Sequence, residues 1–204
     1  MQIYLITDSR LAKKQYDMLH PLLDEGLEWV QLRNKNASLS DLEKTIETIL
    51  PLIHSYQANL IINDHLTLAH QYQIGVHLGM DDEDPNEARK ILGSEATIGI
   101  TIHNELVRAQ KYAQVASYVG VGPIFATQTK LDTKAVLGIE SLRTITKMSP
   151  LPVVAIGGIS ISNIRDVLTA QPQFIAVCGA ICAAENPKHA FIELNKTITE
   201  LGNY

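Results

Sequence analysis

Cysteine, positive charge and long apolar runs are all scarce in this chain, and each scarcity removes a class of function. The 204 residues include 2 cysteines, Cys178 and Cys182. Their spacing is not the C-x-x-C of redox and zinc sites. They read as buried thiols near a strand end, since free cysteine usually packs as a small hydrophobe. Lys and Arg number 17 against 22 Asp and Glu, a net charge of -5. That balance argues against a nucleic acid or an anionic membrane held by bulk charge and leaves room for a local basic site. At the amino end, Met1-Gln2-Ile3-Tyr4-Leu5 has no basic residue ahead of its apolar ones, and Thr7-Asp8-Ser9-Arg10 cuts the run short. No signal peptide or membrane span is expected, and the cytoplasm is the expected compartment. Linkers, low-complexity segments and runs of like charge are missing too.

What the chain does have is an ordinary globular composition, 46% hydrophobic and 19% charged, in a length that suits one core. A single domain over 1–204 is expected. Short apolar runs alternate with polar turns and longer amphipathic segments. Strands are expected over 3–6, 29–32, 59–62, 75–78, 97–101, 118–124, 152–156 and 174–177. Helices are expected over 14–25, 39–56, 67–73, 85–92, 105–116, 139–147, 162–170 and 187–201. Ser38 with Asp41, Asp84 before Pro85, and Asn186 before Pro187 are helix-start signals. Leu42, Ile46, Ile49, Leu50 and Ile53 give one helix an apolar face. Gly26, Gly93 and Gly120 fall where a left-handed or tight conformation is often needed. About eight strand-then-helix units in this length point to a closed (β/α)₈ barrel, with an open doubly wound sheet as the alternative. Either fold gathers ligands at the carboxyl ends of its strands.

Chemistry-capable residues do collect at those ends. After the second strand, alternation puts Gln31, Arg33 and Lys35 on one side, the interior of a barrel. A buried Arg is costly unless it meets an anion; the alternative is a solvated basic turn. Asp64 and Asp82 follow the third and fourth strands, and two such carboxylates suit Mg²⁺. Taken alone, each fits a helix cap better than a metal ligand. Of 7 histidines, His103, at a strand end, is the one candidate for a role; His77, in a strand pattern, reads as a satisfied core residue. The sixth strand runs into Gly122-Pro123-Ile124-Phe125-Ala126-Thr127-Gln128-Thr129-Lys130, where two hydroxyls and an amine suit a phosphate or pyrophosphate. A polar loop to Gly138 then offers cover for a ligand. Gly157-Gly158 and Gly179, after strands seven and eight, let backbone N–H groups approach a phosphate. Two anion clusters in one pocket suggest a transferase that takes two phosphorylated small molecules and expels pyrophosphate.

These motifs resemble the thiamine-phosphate synthase family, with matching segments at 4–8, 31–38, 62–64, 75–82, 99–103, 118–138, 153–159 and 177–181. The resemblance implies a TIM barrel that joins hydroxymethylpyrimidine diphosphate to hydroxyethylthiazole phosphate, pyrophosphate leaving first from a pyrimidine-methyl cation. It implies that Arg33, Lys35 and Lys130 bind the pyrophosphate and that Asp64 and Asp82 hold Mg²⁺. Gln31 and Asn63 would contact the pyrimidine. Thr127 and Thr129, with the Gly158 and Gly179 backbones, would hold the thiazole phosphate. Thr101 would stand near the reacting centre, with Lys130, Thr101 and Arg33 as the catalytic set. His103 and Cys178 would complete the substrate pocket. Met80 departs from the family's usual Gln, and the segment 66–74 is one residue short of the common pattern. A related thiazole tautomerase uses a His at the place of His103, and a non-catalytic thiamine- or thiazole-phosphate sensor is a further alternative. The sequence leaves homo-oligomerisation open.

Overall fold

The apolar runs become eight short strands. The computed structural model describes residues 1–7, 12–127 and 135–201, without the side chains of 12–16. The strands are β1 (Gln2–Ile6), β2 (Trp29–Leu32), β3 (Asn59–Asn63), β4 (Gly75–Leu78), β5 (Ile98–Thr101), β6 (Tyr118–Val121), β7 (Val153–Ile156) and β8 (Phe174–Val177). The helices among the described residues are α1 (Ala12–Asp24), α2 (Leu39–Ser55), α3 (Leu66–Tyr72), α4 (Pro85–Leu92), α5 (Leu106–Lys111), α6 (Gly138–Met148), α7 (Ile164–Leu168), α8 (Gly179–Cys182) and α9 (Pro187–Leu201). Each strand pairs in parallel with the next, and β8 returns to β1, which closes the sheet. This is the (β/α)₈ barrel that the strand-helix rhythm predicts.

Period-2 alternation divides the apolar residues between two layers. The larger layer lies between sheet and helices, where Leu42, Ile46, Ile49 and Ile53 of α2 are buried and Leu50 is half-buried. The smaller fills the barrel around Tyr4, Ile6, Ile61, Tyr118, Val154 and Ala176. Trp29 and Phe174 join it with ring centroids 4.9 Å apart, and Trp29 lies 5.9 Å from Tyr4. Much of the chain's small stock of aromatic surface is thus spent on plugging the barrel.

The start signals hold. Ser38 Oγ accepts from Asp41 N, Asp84 Oδ1 from Asn86 N and Asn186 Oδ1 from His189 N. Three expectations need correction. Strand six ends at Val121 rather than at 124: Pro123 has no N–H for the ladder, and Ile124 N and Phe125 N turn to the Ile156 and Gly157 carbonyls. Gly26 and Gly93 have positive φ, but Gly120 lies inside β6; its missing side chain leaves room for His77 Cε1, 3.2 Å from where a Cβ would sit. The turn after β8 is a short helix, α8. Among the described residues no helix is long and apolar enough to cross a membrane.

Candidate active site

The carboxyl ends of the strands surround a cavity of about 600 Å³. Gln31, Arg33, Lys35, Asn63, Asp64, Asp82, Thr101, His103, Thr127, Gly158, Cys178 and Gly179 all line it. The fold therefore brings together every predicted site residue that is described. Thr129 and Lys130 lie outside the described residues.

On the β2–β4 side the wall is charged. Thr7, buried at the end of β1, accepts from Arg33 N at 2.9 Å through its hydroxyl, while Thr7 N donates to the Gln31 carbonyl. The sequence reading gave Thr7 no role; it steers the chain as it leaves β2. Arg33 Nε is buried and has no hydrogen-bond partner among the described residues. A guanidinium seated this way is prepared for an anion. Lys35 Nζ stands 3.5 Å from Asp64 Oδ2, and the Asp82 carboxyl is within hydrogen-bonding reach of Asp64. Burial first, and then the hydrogen bond with Asp82 and its charge, hold Asp64 above the ordinary carboxylate range, against the pull of Lys35.

The helix-cap alternative fails for both acids. The cap position of α3 is His65, with no side-chain bond, and α4 is capped by Asp84. Asp64 instead has a left-handed φ of 67°, an uncommon conformation for a non-glycine residue, and Asp82 Oδ2 accepts from Gly79 N at 2.5 Å. Two facing carboxylates beside a cavity with cationic walls suit a hard divalent cation, which takes few protein oxygens and completes its shell with water and phosphate. No cluster of three or more metal-ligating side chains exists among the described residues.

The opposite wall is built from backbone. Gly157 and Gly158 have φ of 104° and 65°. A Cβ at Gly158 would lie 2.4 Å from the Ala126 carbonyl oxygen. Asn163 fixes this turn by donating from Nδ2 to the Gly158 carbonyl while its Oδ1 accepts from Ser160 N. Leu137 N and Gly138 N donate to the Pro123 and Ile124 carbonyls, so the loop after β6 rejoins the barrel where it left. His103 is 9% exposed and has φ of 51°; its Nδ1 donates to the Gly122 carbonyl at 2.7 Å.

A hydrogen-bonded chain crosses the floor, and sequence reasoning missed most of it. Gln31 Nε2 donates to Tyr4 Oη at 3.0 Å, and Tyr4 Oη lies 2.7 Å from Tyr118 Oη. Tyr118 Oη lies 3.1 Å from His77 Nδ1, and His77 Nε2 lies 2.9 Å from Thr101 Oγ1. Burial pushes both tyrosines well above their ordinary pKa, so both stay neutral. If each group donates to the next, every hydrogen within the chain is used and the Thr101 hydrogen is left for the cavity. The reverse polarity strands the Tyr4 hydrogen. His77 is therefore satisfied, as expected, but it lines the cavity rather than the core. The signal that would have found this chain is glycine inside apolar strands. A Cβ at Gly99 would lie 2.1 Å from the Tyr118 ring, and one at Gly120 would press on His77.

The chain is similar to known proteins over nearly its whole length. Residues 3–181 match the family model described as thiamine monophosphate synthase. A thiamine-phosphate synthase of Psychrobacter sp. (strain PRwf-1) is 40% identical over 93% of this chain and 92% of that protein. One from Flavobacterium psychrophilum is 33% identical over 97% and 98%. Among solved structures, a thiamine phosphate pyrophosphorylase from Pyrococcus furiosus superposes with a TM-score of 0.87 at 33% identity, covering 98% of this chain and 96% of that one. With its barrel closed, its rim carrying the two acids and its relatives aligned end to end, the chain belongs to the thiamine monophosphate synthase family.

Proposed function

We propose that this protein is a Mg²⁺-dependent thiamine-phosphate synthase, transferring the hydroxymethylpyrimidine group from its diphosphate to hydroxyethylthiazole phosphate. One observation carries the reading: Asp64 and Asp82 face each other beside Lys35, in a cavity where Arg33 Nε has no partner among the described residues. Among the described residues Lys35 alone faces two carboxylates, and Arg33 Nε has no partner; a metal-bound pyrophosphate would answer both.

Bound at Asp64 and Asp82, Mg²⁺ would neutralise charge on the pyrophosphate as it leaves. The protein's part is placement. Arg33 and Lys35 draw the diphosphate toward the β2–β3 side, where they stabilise charge that grows as the C–O bond breaks. Lys130, from the loop after β6, adds a third positive charge there. The Thr101 hydroxyl donates to the same anion, with its polarity fixed by His77. Gln31 and Asn63 orient the pyrimidine over the floor, whose tyrosines stay neutral and so offer no phenolate to a pyrimidine-methyl cation. Thr127 and Thr129, with the Gly158 and Gly179 backbones, hold the thiazole phosphate opposite, so that the thiazole nitrogen is the group presented to the cation. His103 and Cys178 close the pocket wall.

A coupling assay tests this. Wild-type protein should release thiamine phosphate and pyrophosphate in equal amounts when Mg²⁺ is present, and Lys130→Ala and Asp64→Asn should not. A second reading, thiazole tautomerisation, draws on the His103 Nδ1 bond to Gly122, which leaves Nε2 as a base. It requires metal-independent turnover of a thiazole carboxylate phosphate that His103→Ala abolishes.

A further inference from the structure

Helix α5 and its C-cap residue Tyr112 touch the β4–α4 turn at both ends, and the site as described makes no use of them. Arg108 Nη2 donates to the Gly79 carbonyl at 2.9 Å. Gly79 N in turn donates to Asp82 Oδ2 at 2.5 Å. A Cβ at Gly79 would stand 2.8 Å from that same oxygen, so the carboxylate sits tightly against this residue. At the far end of the turn, Tyr112 Oη donates to Asp84 Oδ2 at 2.8 Å. The Arg108 guanidinium lies 5.2 Å from the centroid of the Tyr112 ring, and Tyr112 is buried. Two side chains in mutual contact thus grip both ends of the stretch 79–84, and Asp82 lies between the grips.

Arg108 does not line the cavity. Its Nε is buried without a hydrogen-bond partner among the described residues, which an apolar side chain at 108 would avoid at some gain in stability. What arginine supplies instead is a planar donor aimed at one carbonyl. Arg89 makes an instructive contrast. It spends its guanidinium on the carbonyls of Gly93, Ser94, Ala96 and Val115, away from the site and before β5 and β6 begin. That is a staple for stability. Among the described residues Arg108 makes one hydrogen bond, to the carbonyl of the residue whose N–H seats Asp82.

We infer that Arg108 is a positioning residue for the divalent-cation site: through Gly79 it holds the Asp82 carboxylate opposite Asp64, and Tyr112 steadies the other end of the turn. The inference rests on the metal-dependent reading above. Ligand-supporting residues of this kind change metal affinity by roughly ten- to a hundred-fold when removed. Removing this one weakens the hold on the cation and leaves thiazole-phosphate binding on the opposite wall unchanged.

The test is Mn²⁺ binding followed by electron paramagnetic resonance, with pyrophosphate present and no turnover. Arg108→Met should raise the Mn²⁺ dissociation constant by roughly tenfold or more. Tyr112→Phe should raise it less, and Arg108→Lys should recover part of the loss. Arg89→Met should lower the melting temperature and leave the Mn²⁺ constant unchanged. An unaltered constant in Arg108→Met, or an equal rise in Arg89→Met, overturns the inference while leaving the proposed reaction intact. Should Arg108→Met not fold, unaltered constants in both Tyr112→Phe and Arg108→Lys overturn it equally. Wild-type protein that binds no Mn²⁺ removes the metal-dependent reading itself.

Discussion

On the cavity floor each polar side chain from Gln31 to Thr101 has a polar neighbour within 3.1 Å. On the rim, Asp64 faces a second carboxylate and Arg33 Nε faces no partner among the described residues. Apart from the Thr101 hydroxyl hydrogen, the floor is complete without a ligand. The rim holds charge that is balanced when a cation and an anion arrive together. Such a division suits a reaction in which a neutral ring must be oriented and a charged group must leave. Preorganised dipoles serve the first task, and stored, poorly neutralised charge serves the second. The difference teaches that the middle of the floor, Tyr4, Tyr118 and His77, should govern stability and that the rim should govern turnover.

Substitutions can break that division. The largest effect should come from the rim. Asp64→Asn should lower the coupling rate by roughly a hundred- to a thousand-fold, on the scale of losing one charge-stabilising group. It should not lower the melting temperature of the ligand-free protein, because it removes one of two opposed carboxylates; steady-state kinetics and calorimetry on one preparation check both halves. Next comes the floor. Tyr118→Phe removes the hydroxyl between Tyr4 and His77 and should cost about 1–3 kcal/mol, read by urea unfolding. Gly120→Ala should follow at about 1 kcal/mol, since the new methyl must displace the His77 ring by a few tenths of an ångström. If Tyr118→Phe and Gly120→Ala spare stability and abolish turnover, the floor is not what it is taken to be here.

The smallest effect is one of pH. Asp64 titrates above its unfolded value in the ligand-free protein. Between those two values the folded state binds more protons than the unfolded state, so stability falls as pH rises through that window. Chemical denaturation across the carboxylate range should show this component, and Asp64→Asn should erase it. Adding Mg²⁺ with pyrophosphate should erase it too, since the ligands favour the ionised acid.

The barrel was legible because its strands are short β-branched runs set at regular intervals, each bounded by turn residues. The strand ends were legible for the same reason. Once the barrel is granted, Arg33, Asp64 and Asp82 fall at its carboxyl rim by position alone. Individual roles were less legible. An Asp before a helix looks the same whether it caps or faces another acid, and the left-handed φ of Asp64 that separates the two is a tertiary outcome. His77 reads as core because its neighbours in β4 are apolar; its exposure to the cavity follows from Gly99 and Gly120 on the next two strands, β5 and β6, which pair with Tyr118 and Thr101. Thr7 and Arg108 act through backbone carbonyls and amides far along the chain, and sequence spacing carries no trace of such partners. The identities of the two substrates came from resemblance, not from spacing.

A crystal structure of the protein with Mg²⁺ and pyrophosphate tests the division between floor and rim most directly. The account predicts the cation between Asp64 and Asp82, pyrophosphate oxygens on Arg33 Nε and Lys35, and the Gln31–Thr101 chain unmoved. Pyrophosphate seated instead on the Gly157–Gly158 turn, with both acids free of metal, would contradict it.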